Sequence, residues 1–271
     1  MTTPAREIEM VWHDLTPRLL EVARVRRVTP RTVRVTLTGE DLDGFCYAAP
    51  DDHVKVFFPE PGAELPVMPT LGPDGLEPPP PGSPRPTFRD YTVRHLRPER
   101  RELDIDFVLH GHGPAGVWAA QAAPGQQLGV LGPRGSNINP MNFDWYLFAG
   151  DETALPSLAA WLEKVPAGVP VFAFVDVADA AEEQDLTVTA DTTLVWLHRD
   201  TSIDGGHLER AIRGLEVPPG AGYCWVAGEA GSLKPIRRYL RTIGLPRDWV
   251  EVDGYWKRGT VNLDHHDDDE D

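Results

Sequence analysis

Short runs of alternating apolar and polar residues fill the first half of the chain. Leu19–Val28 and Thr32–Thr38 carry β-branched residues in alternation around a Thr-Pro-Arg turn, and Val54–Phe58 is a short strand ended by Pro59. Phe88–His95 and Glu102–Leu109 follow, separated by the polar turn Arg97–Arg101, and Gln126–Leu131 is a sixth strand. One helix interrupts them near Pro114 to Ala123, with proline in its first turn. About six short antiparallel strands predict a small barrel or sandwich. Between Pro59 and Thr87 lies a Pro/Gly-rich segment whose proline content predicts an extended, mobile insertion.

The second half alternates strands with helices. Asp144–Ala149, Val169–Val175, Thr193–Leu197, Tyr223–Ala227 and Trp249–Val252 read as strands. Ala154–Glu163, Gly206–Arg213 and Ser232–Arg241 read as helices. That order predicts an α/β doubly wound parallel sheet. The halves meet in the polar, turn-rich stretch Asn137–Asn142. The expected organisation is an antiparallel β-barrel domain at 18–136, an α/β domain at 143–260 and an acidic, disordered tail at 261–271.

Composition narrows the function. The 271 residues are 41% hydrophobic, enough for two ordinary domains, and no apolar run reaches the roughly 18 residues of a membrane span. Met1 to Met10 lacks a secretory pattern, and two cysteines, Cys46 and Cys224, make no disulfide frame, so a cytoplasmic location is expected. A net charge of −16 disfavours nucleic acid and anionic lipid as partners. His265 and His266 sit within the acidic run Asp264–Asp271, but a tail without a fixed frame makes a poor metal site, and no metal centre is expected.

The chemistry gathers between Phe88 and Ser136. On a strand, Arg89 and Tyr91 share one face and Asp90 and Thr92 the other. They supply a cation, an aromatic ring and a hydroxyl. His110-Gly111-His112-Gly113-Pro114-Ala115 then forms a strand-to-helix turn, where free amides and the helix dipole favour phosphate. Those parts suit a flavin dinucleotide. In the second half, Gly150, Asp151 and Thr153 open a helix after the first strand, and Gly228-Glu229 follows a later one. These are strand-end positions where doubly wound sheets bind ligands, although Gly-x-Gly-x-x-Gly is absent and helix capping also accounts for Asp151 or Thr153. His198, Arg199, Lys234, Arg237 and Arg238 are candidates for a nucleotide 2′-phosphate.

The motifs Asp52-His-Val-Lys55, Arg89-x-Tyr91-Thr92, Gly113-Pro-Ala-x-x-Trp118-Ala, Gly132-Pro-Arg-Gly-Ser136, Ala149-Gly-Asp-Glu-Thr-Ala-Leu-Pro156 and Gly254-Tyr-Trp-Lys-Arg-Gly259 occur in that order. In this the chain resembles the siderophore-interacting proteins, FAD-containing ferric-siderophore reductases of the ferredoxin–NADP reductase superfamily. The resemblance implies that Arg89, Tyr91 and Thr92 hold FAD, with Val108 and Trp118 beside them, and that His110, Gly113, Pro114 and Ala115 take the pyrophosphate. It implies NAD(P)H or reduced ferredoxin as electron donor, with Gly150, Asp151, Thr153 and Gly228 on the nucleotide side. Trp256 is expected to fold back over the flavin, and Lys55, Lys257 and Arg258 to face an anionic ferric siderophore. No catalytic acid, base or iron ligand is expected, since the siderophore holds the iron. A monomer is expected. A general NAD(P)H:flavin oxidoreductase and a non-catalytic flavin- or siderophore-binding protein are the competing readings.

Overall fold

The structure is a computed structural model that describes residues 6–73, 75–111, 113–199 and 206–260. His112 of the phosphate turn and the acidic stretch 261–271 lie outside the described residues. Among the described residues, Glu9–Ile138 forms one compact unit, and those from Asn139 to Thr260, joined by Arg6–Ile8, form the other.

The first unit contains β1 (Glu9–Trp12), β2 (Pro17–Thr29), β3 (Thr32–Thr38), β4 (His53–Phe58), β5 (Thr70–Gly72), β6 (Gly75–Glu77), β7 (Thr87–Thr92), β8 (His95–Arg97) and β9 (Glu102–Val108). Helix α1 (Gly113–Ala120), β10 (Gln127–Leu131) and β11 (Gly135–Ile138) complete it. Seven strands form an antiparallel sheet in the order β7-β4-β10-β2-β3-β9-β8. The expected strand Phe88–His95 is broken at Val93–Arg94. There Val93 donates its N–H to the Asp52 carbonyl at 2.9 Å, on the β4 side, and Arg94 donates to the Asp104 carbonyl at 3.0 Å, on β9. One bent segment thus pairs with both ends of the sheet and curls it into a barrel, which leaves no open edge at the bend.

Strand alternation fills the barrel. Val33, Val35 and Leu37 of β3, Val54, Val56 and Phe58 of β4, and Leu103, Ile105 and Phe107 of β9 all point into one apolar core. Outward positions carry charge. Arg97 donates to Asp104 at 2.8 and 2.7 Å and to Glu102 at 2.8 Å. Arg24 pairs with Glu102, and Arg34 with Asp106. Burial alone would raise the Asp104 carboxyl, but hydrogen bonds from His95, Arg97 and Thr36, with the Arg97 charge, hold it well below its usual range.

The Pro-rich segment is not extended throughout. Strands β5 and β6 pair as a small hairpin. Met68 also occupies the space beside Gly129, where an added Cβ would lie 2.7 Å from its sulfur. Thr87 donates to Glu60 at 2.6 Å and ties the end of the insertion to its beginning. The ribbon β1–β11 was not foreseen; it is pinned to the barrel by His13 Nε2 to Ser136 Oγ at 2.7 Å and Ser136 Oγ to Asp52 Oδ2 at 2.6 Å.

The second unit contains β12 (Trp145–Asp151), α2 (Leu155–Lys164), β13 (Val171–Val177), β14 (Thr192–His198), α3 (His207–Gly214), β15 (Gly222–Glu229), α4 (Ala230–Leu240) and β16 (Val250–Trp256). The five strands are parallel in the order β14-β13-β12-β15-β16. Along β12, Tyr146 and Phe148 face one core with α2, while Trp145, Leu147 and Ala149 face a second core with α3 and α4. Both faces are covered, which is why these strands read as continuous apolar runs. Gly222 is required under Trp145, since an added Cβ would lie 2.1 Å from the indole. Among the described residues no helix is long and apolar enough to cross a membrane.

Replacing Arg97 by alanine leaves the buried Asp104 carboxylate without its main cation. Arg97→Ala is expected to cost about 3 kcal/mol in urea unfolding. A loss near zero would show that the outer charge lattice does not hold the barrel.

Candidate functional site

Strand register sorts the barrel residues. Tyr91 lies opposite Val54, and Arg89 opposite Val56, on the core-facing side of β7; Asp90 lies opposite Lys55, and Thr92 opposite His53, on the outer side. The Tyr91 ring lies 4.5 Å from that of Phe107 and 6.4 Å from Phe58. Burial raises its phenol far above the usual range, so it stays protonated and can donate. Arg89 donates to the adjacent Phe88 carbonyl and makes no ion pair among the described residues, so its remaining donors are available to an anion. Thr92 is buried.

The turn after β9 runs through Gly111 (φ 74°) and Gly113 (φ 72°), left-handed conformations that favour glycine. It delivers the chain to the start of α1, where backbone N–H groups have no intrahelical partner. His110 packs against this first turn: a Cβ on Gly116 would lie 3.1 Å from its ring. Pro114 is half-buried and Ala115 buried. Val108 ends β9 and is half-buried. Trp118 is buried, with its ring 5.7 Å from both Phe58 and Phe107. It fixes the helix onto the barrel and so positions the turn. An uncommitted guanidinium, a protonated phenol and a glycine turn opening a helix fit a flavin dinucleotide.

In the second unit the strand order reverses between β12 and β15, and their ends carry Gly150-Asp151 and Gly228-Glu229. Ligands of such sheets bind outside the strand ends at this switch point. Here the centre is Asp151. Its carboxylate accepts from the Thr153 N–H at 2.9 Å, the Thr153 hydroxyl at 2.5 Å, the Glu229 N–H at 3.1 Å and the Trp256 indole N–H at 2.8 Å. Burial and the neighbouring Glu152 raise its pKa against these bonds. Gly228 allows this approach, since a Cβ there would lie 2.8 Å from Asp151 Oδ2. Gly150 is equally tight, since a Cβ there would lie 2.6 Å from the Ala227 carbonyl oxygen. Thr153 therefore faces Asp151 and shapes the crevice floor.

Trp256 is the last residue of a strand, with its indole partly exposed. Strand β16 extends through it, pairing Gly228 with Gly254 and Glu229 with Trp256 across a bulge. Tyr255 meets Ser157 Oγ at 2.9 Å. The sequence pattern ends this strand at Val252; ladder pairing with β15 carries it on to Trp256. Lys257 is half-buried and Arg258 exposed, its N–H on Glu229 Oε1 at 3.1 Å. Lys55 is shared between Asp90, at 3.0 Å, and the Phe88 ring, 4.9 Å to its centroid.

Of the expected 2′-phosphate ligands, Arg199 is held by both oxygens of Glu152 and lies 3.8 Å from Asp176. His198 bonds Glu183, and Arg237 donates to the Val252 carbonyl. Lys234 and Arg238 are exposed on α4. Asp52, Ser136 and His13 were missed as a connected group. Asp52 and Ser136 each lie in a motif of the sequence, but their join to each other and to His13 appears only in the fold.

A barrel followed by a five-stranded doubly wound unit defines the ferredoxin-reductase-like class. A ferredoxin reductase of carbazole 1,9a-dioxygenase shares the fold, at 18% identity and TM-score 0.64 over 93% of this chain and 71% of that one. Within this class the chain belongs to the siderophore-interacting protein family. The siderophore-interacting FAD-binding domain matches residues 21–137, and the siderophore-interacting protein domain matches residues 143–259. The ferric vibriobactin reductase ViuB of Vibrio cholerae is 38% identical over 97% of this chain and 96% of its own length. The NADPH-dependent ferric-chelate reductase of Escherichia coli is 35% identical over 94% and 99%. The crystal structure of a siderophore utilization protein from T. fusca is similar at 46% identity and TM-score 0.89, covering 97% of this chain and all of that one.

Burial pushes the Asp176 carboxyl from 3.8 up to about 6, against the attraction of Arg199 and His207. Its Oδ1 is buried and accepts no hydrogen bond. The folded pKa exceeds the unfolded one, so protonation favours folding. This contribution is fully present below about pH 4 and is lost as pH rises through about 6. Relative to the parent protein, Asp176→Asn should gain up to about 3 kcal/mol between pH 4 and pH 7 in denaturant titrations. A difference independent of pH would show that Asp176 is not desolvated.

Proposed function

We propose that this protein is an FAD-dependent ferric-siderophore reductase that converts siderophore-bound Fe(III) to Fe(II) and so loosens the hard-oxygen donors from the metal. The observation that carries this is the uncommitted Arg89 beside a protonated Tyr91 and the Gly111–Gly113 turn, in a chain with an FAD-binding domain. Similarity to relatives named ferric vibriobactin reductase and NADPH-dependent ferric-chelate reductase supports the substrate class and the donor.

When bound, FAD couples a two-electron donor to one-electron acceptors. The chain's residues bind and orient. Arg89 gives its free donors to the pyrophosphate, and the amides opening α1, through Gly113, Pro114 and Ala115, complete the anion site. Tyr91 supplies its ring and a phenol proton that burial retains, and Thr92 a hydroxyl. His110, Val108 and Trp118 hold the turn against the barrel. In the second unit, the Gly150–Thr153 and Gly228 turns form the crevice for NAD(P)H. Reduced ferredoxin is the alternative donor. Lys55, Lys257 and Arg258 draw in the anionic ferric complex, although the overall charge is negative. The protein acts as a cytoplasmic monomer whose FAD domain spans 18–136 and whose nucleotide domain spans 143–260.

The test is anaerobic mixing of the FAD-loaded protein with NADPH, NADH or reduced ferredoxin, followed by a ferric siderophore and an iron(II) trap. Trapped iron(II) is expected; none with any donor would leave a binding protein instead. Arg89→Ala should purify without FAD and weaken its uptake by roughly tenfold or more, measured by flavin fluorescence. Lys55→Ala should raise the KM for the ferric complex about three- to tenfold with FAD affinity unchanged. Equal loss of both would assign Lys55 a structural role through Asp90.

A further inference from the structure

Trp12 is 67% exposed, the most exposed of the large apolar side chains among the described residues, and Met10 beside it on β1 is 47% exposed. An exposed indole on a rigid ribbon is unusual in a chain that buries most of its aromatic residues. Trp12 lies opposite Gly135 in the β1–β11 ladder. A Cβ on Gly135 would lie 3.3 Å from Trp12 Cε3, so the indole occupies the space that the glycine leaves. The guanidinium of the exposed Arg134 sits over the same indole, 5.6 Å from its centroid. The ribbon itself is anchored. His13 N–H donates to the Arg134 carbonyl at 3.0 Å, and His13, Ser136 and the buried Asp52 form a continuous hydrogen-bonded chain. The ring is therefore held in place while remaining open to solvent.

Its position relates it to the ferric substrate. Leu131 is the ladder partner of Lys55. Arg134 follows three residues later, within about 10 Å of chain, and Trp12 touches Arg134. Arg134, over the Trp12 indole, thus lies three residues along the chain from the ladder partner of Lys55. A small inorganic anion would need only the cations. A flat π-face beside them suits a ligand that is anionic and aromatic together.

We infer that Trp12 is a specificity-determining residue that stacks on the aryl rings of catecholate-type ferric complexes, an inference that rests on a ferric chelate being the substrate. The ring adds an offset-stacked or edge contact with an aromatic ligand that carboxylate chelates of the same charge sign cannot make. It also keeps the Arg134 guanidinium next to the bound anion through the cation–π contact.

Gallium(III) complexes report binding without electron transfer. The FAD-loaded protein is titrated calorimetrically with gallium tris-catecholate and with gallium citrate. Trp12→Ala should raise the Kd for the tris-catecholate about three- to tenfold and leave that for citrate within about twofold. Trp12→Phe should restore most of the loss. FAD content and near-ultraviolet circular dichroism of both variants check that the ribbon stays folded. An equal change for both complexes, no change for either, or no binding of tris-catecholate by the parent protein overturns the inference. A parent protein that binds the gallium complexes yet reduces no ferric one overturns the reductase reading and leaves the aromatic subsite standing.

Discussion

The bend at Val93–Arg94 is the constraint on which the first unit depends. It lets one segment donate to the Asp52 carbonyl of the β4 side and to the Asp104 carbonyl of β9. A straight strand would satisfy only one of these neighbours and leave the other side as an open edge. The bend also sets the positions of the chemistry. Tyr91 and Arg89 lie on the core-facing side just before it, and Arg97 lies just beyond, where it neutralises the buried Asp104. Curling the sheet and placing Arg89 and Tyr91 are thus two consequences of one piece of backbone.

The second unit is organised around a buried anion in the same way. Asp151 collects donors from the turn after β12, from the end of β15 and from the last residue of β16. Three strand ends are drawn to one carboxylate, and glycines at 150 and 228 make the approach possible. Desolvation and the neighbouring Glu152 raise the cost of that charge, and the four hydrogen bonds offset part of it. Asp151 joins the ends of three strands through its carboxylate.

Charge is distributed against the overall balance. A chain of net charge −16 sets Arg24, Arg34 and Arg97 on the outer barrel wall in paired rungs with Glu102, Asp104 and Asp106. Arg89 and Arg134 differ, because neither has a carboxylate partner among the described residues. Lys55 is intermediate, with half its surface open and Asp90 beside it. Free cations in an acidic protein concentrate anionic ligands locally without making the whole surface sticky.

The sequence alone determined the order of elements, the change from period-two strands to buried parallel strands, and the residue types of the candidate cofactor site. Each of these rests on local periodicity or on a contiguous motif such as Arg89-x-Tyr91-Thr92. The tertiary structure decided what depends on distant partners. It broke the strand at Val93, because hydrogen bonds to Asp52 and Asp104 outweigh continuous extension. It carried β16 to Trp256, because β15 offered a ladder beyond the Asp-Gly pair. It set the Trp118 ring against Phe58 and Phe107 and buried the Asp151 carboxylate among four donors, contacts that no motif specifies. It paired β1 with β11, and joined His13 to Ser136 and Asp52, across separations that no local pattern encodes. Alternation reports which face of a strand is buried; only the closed barrel reports what each face meets.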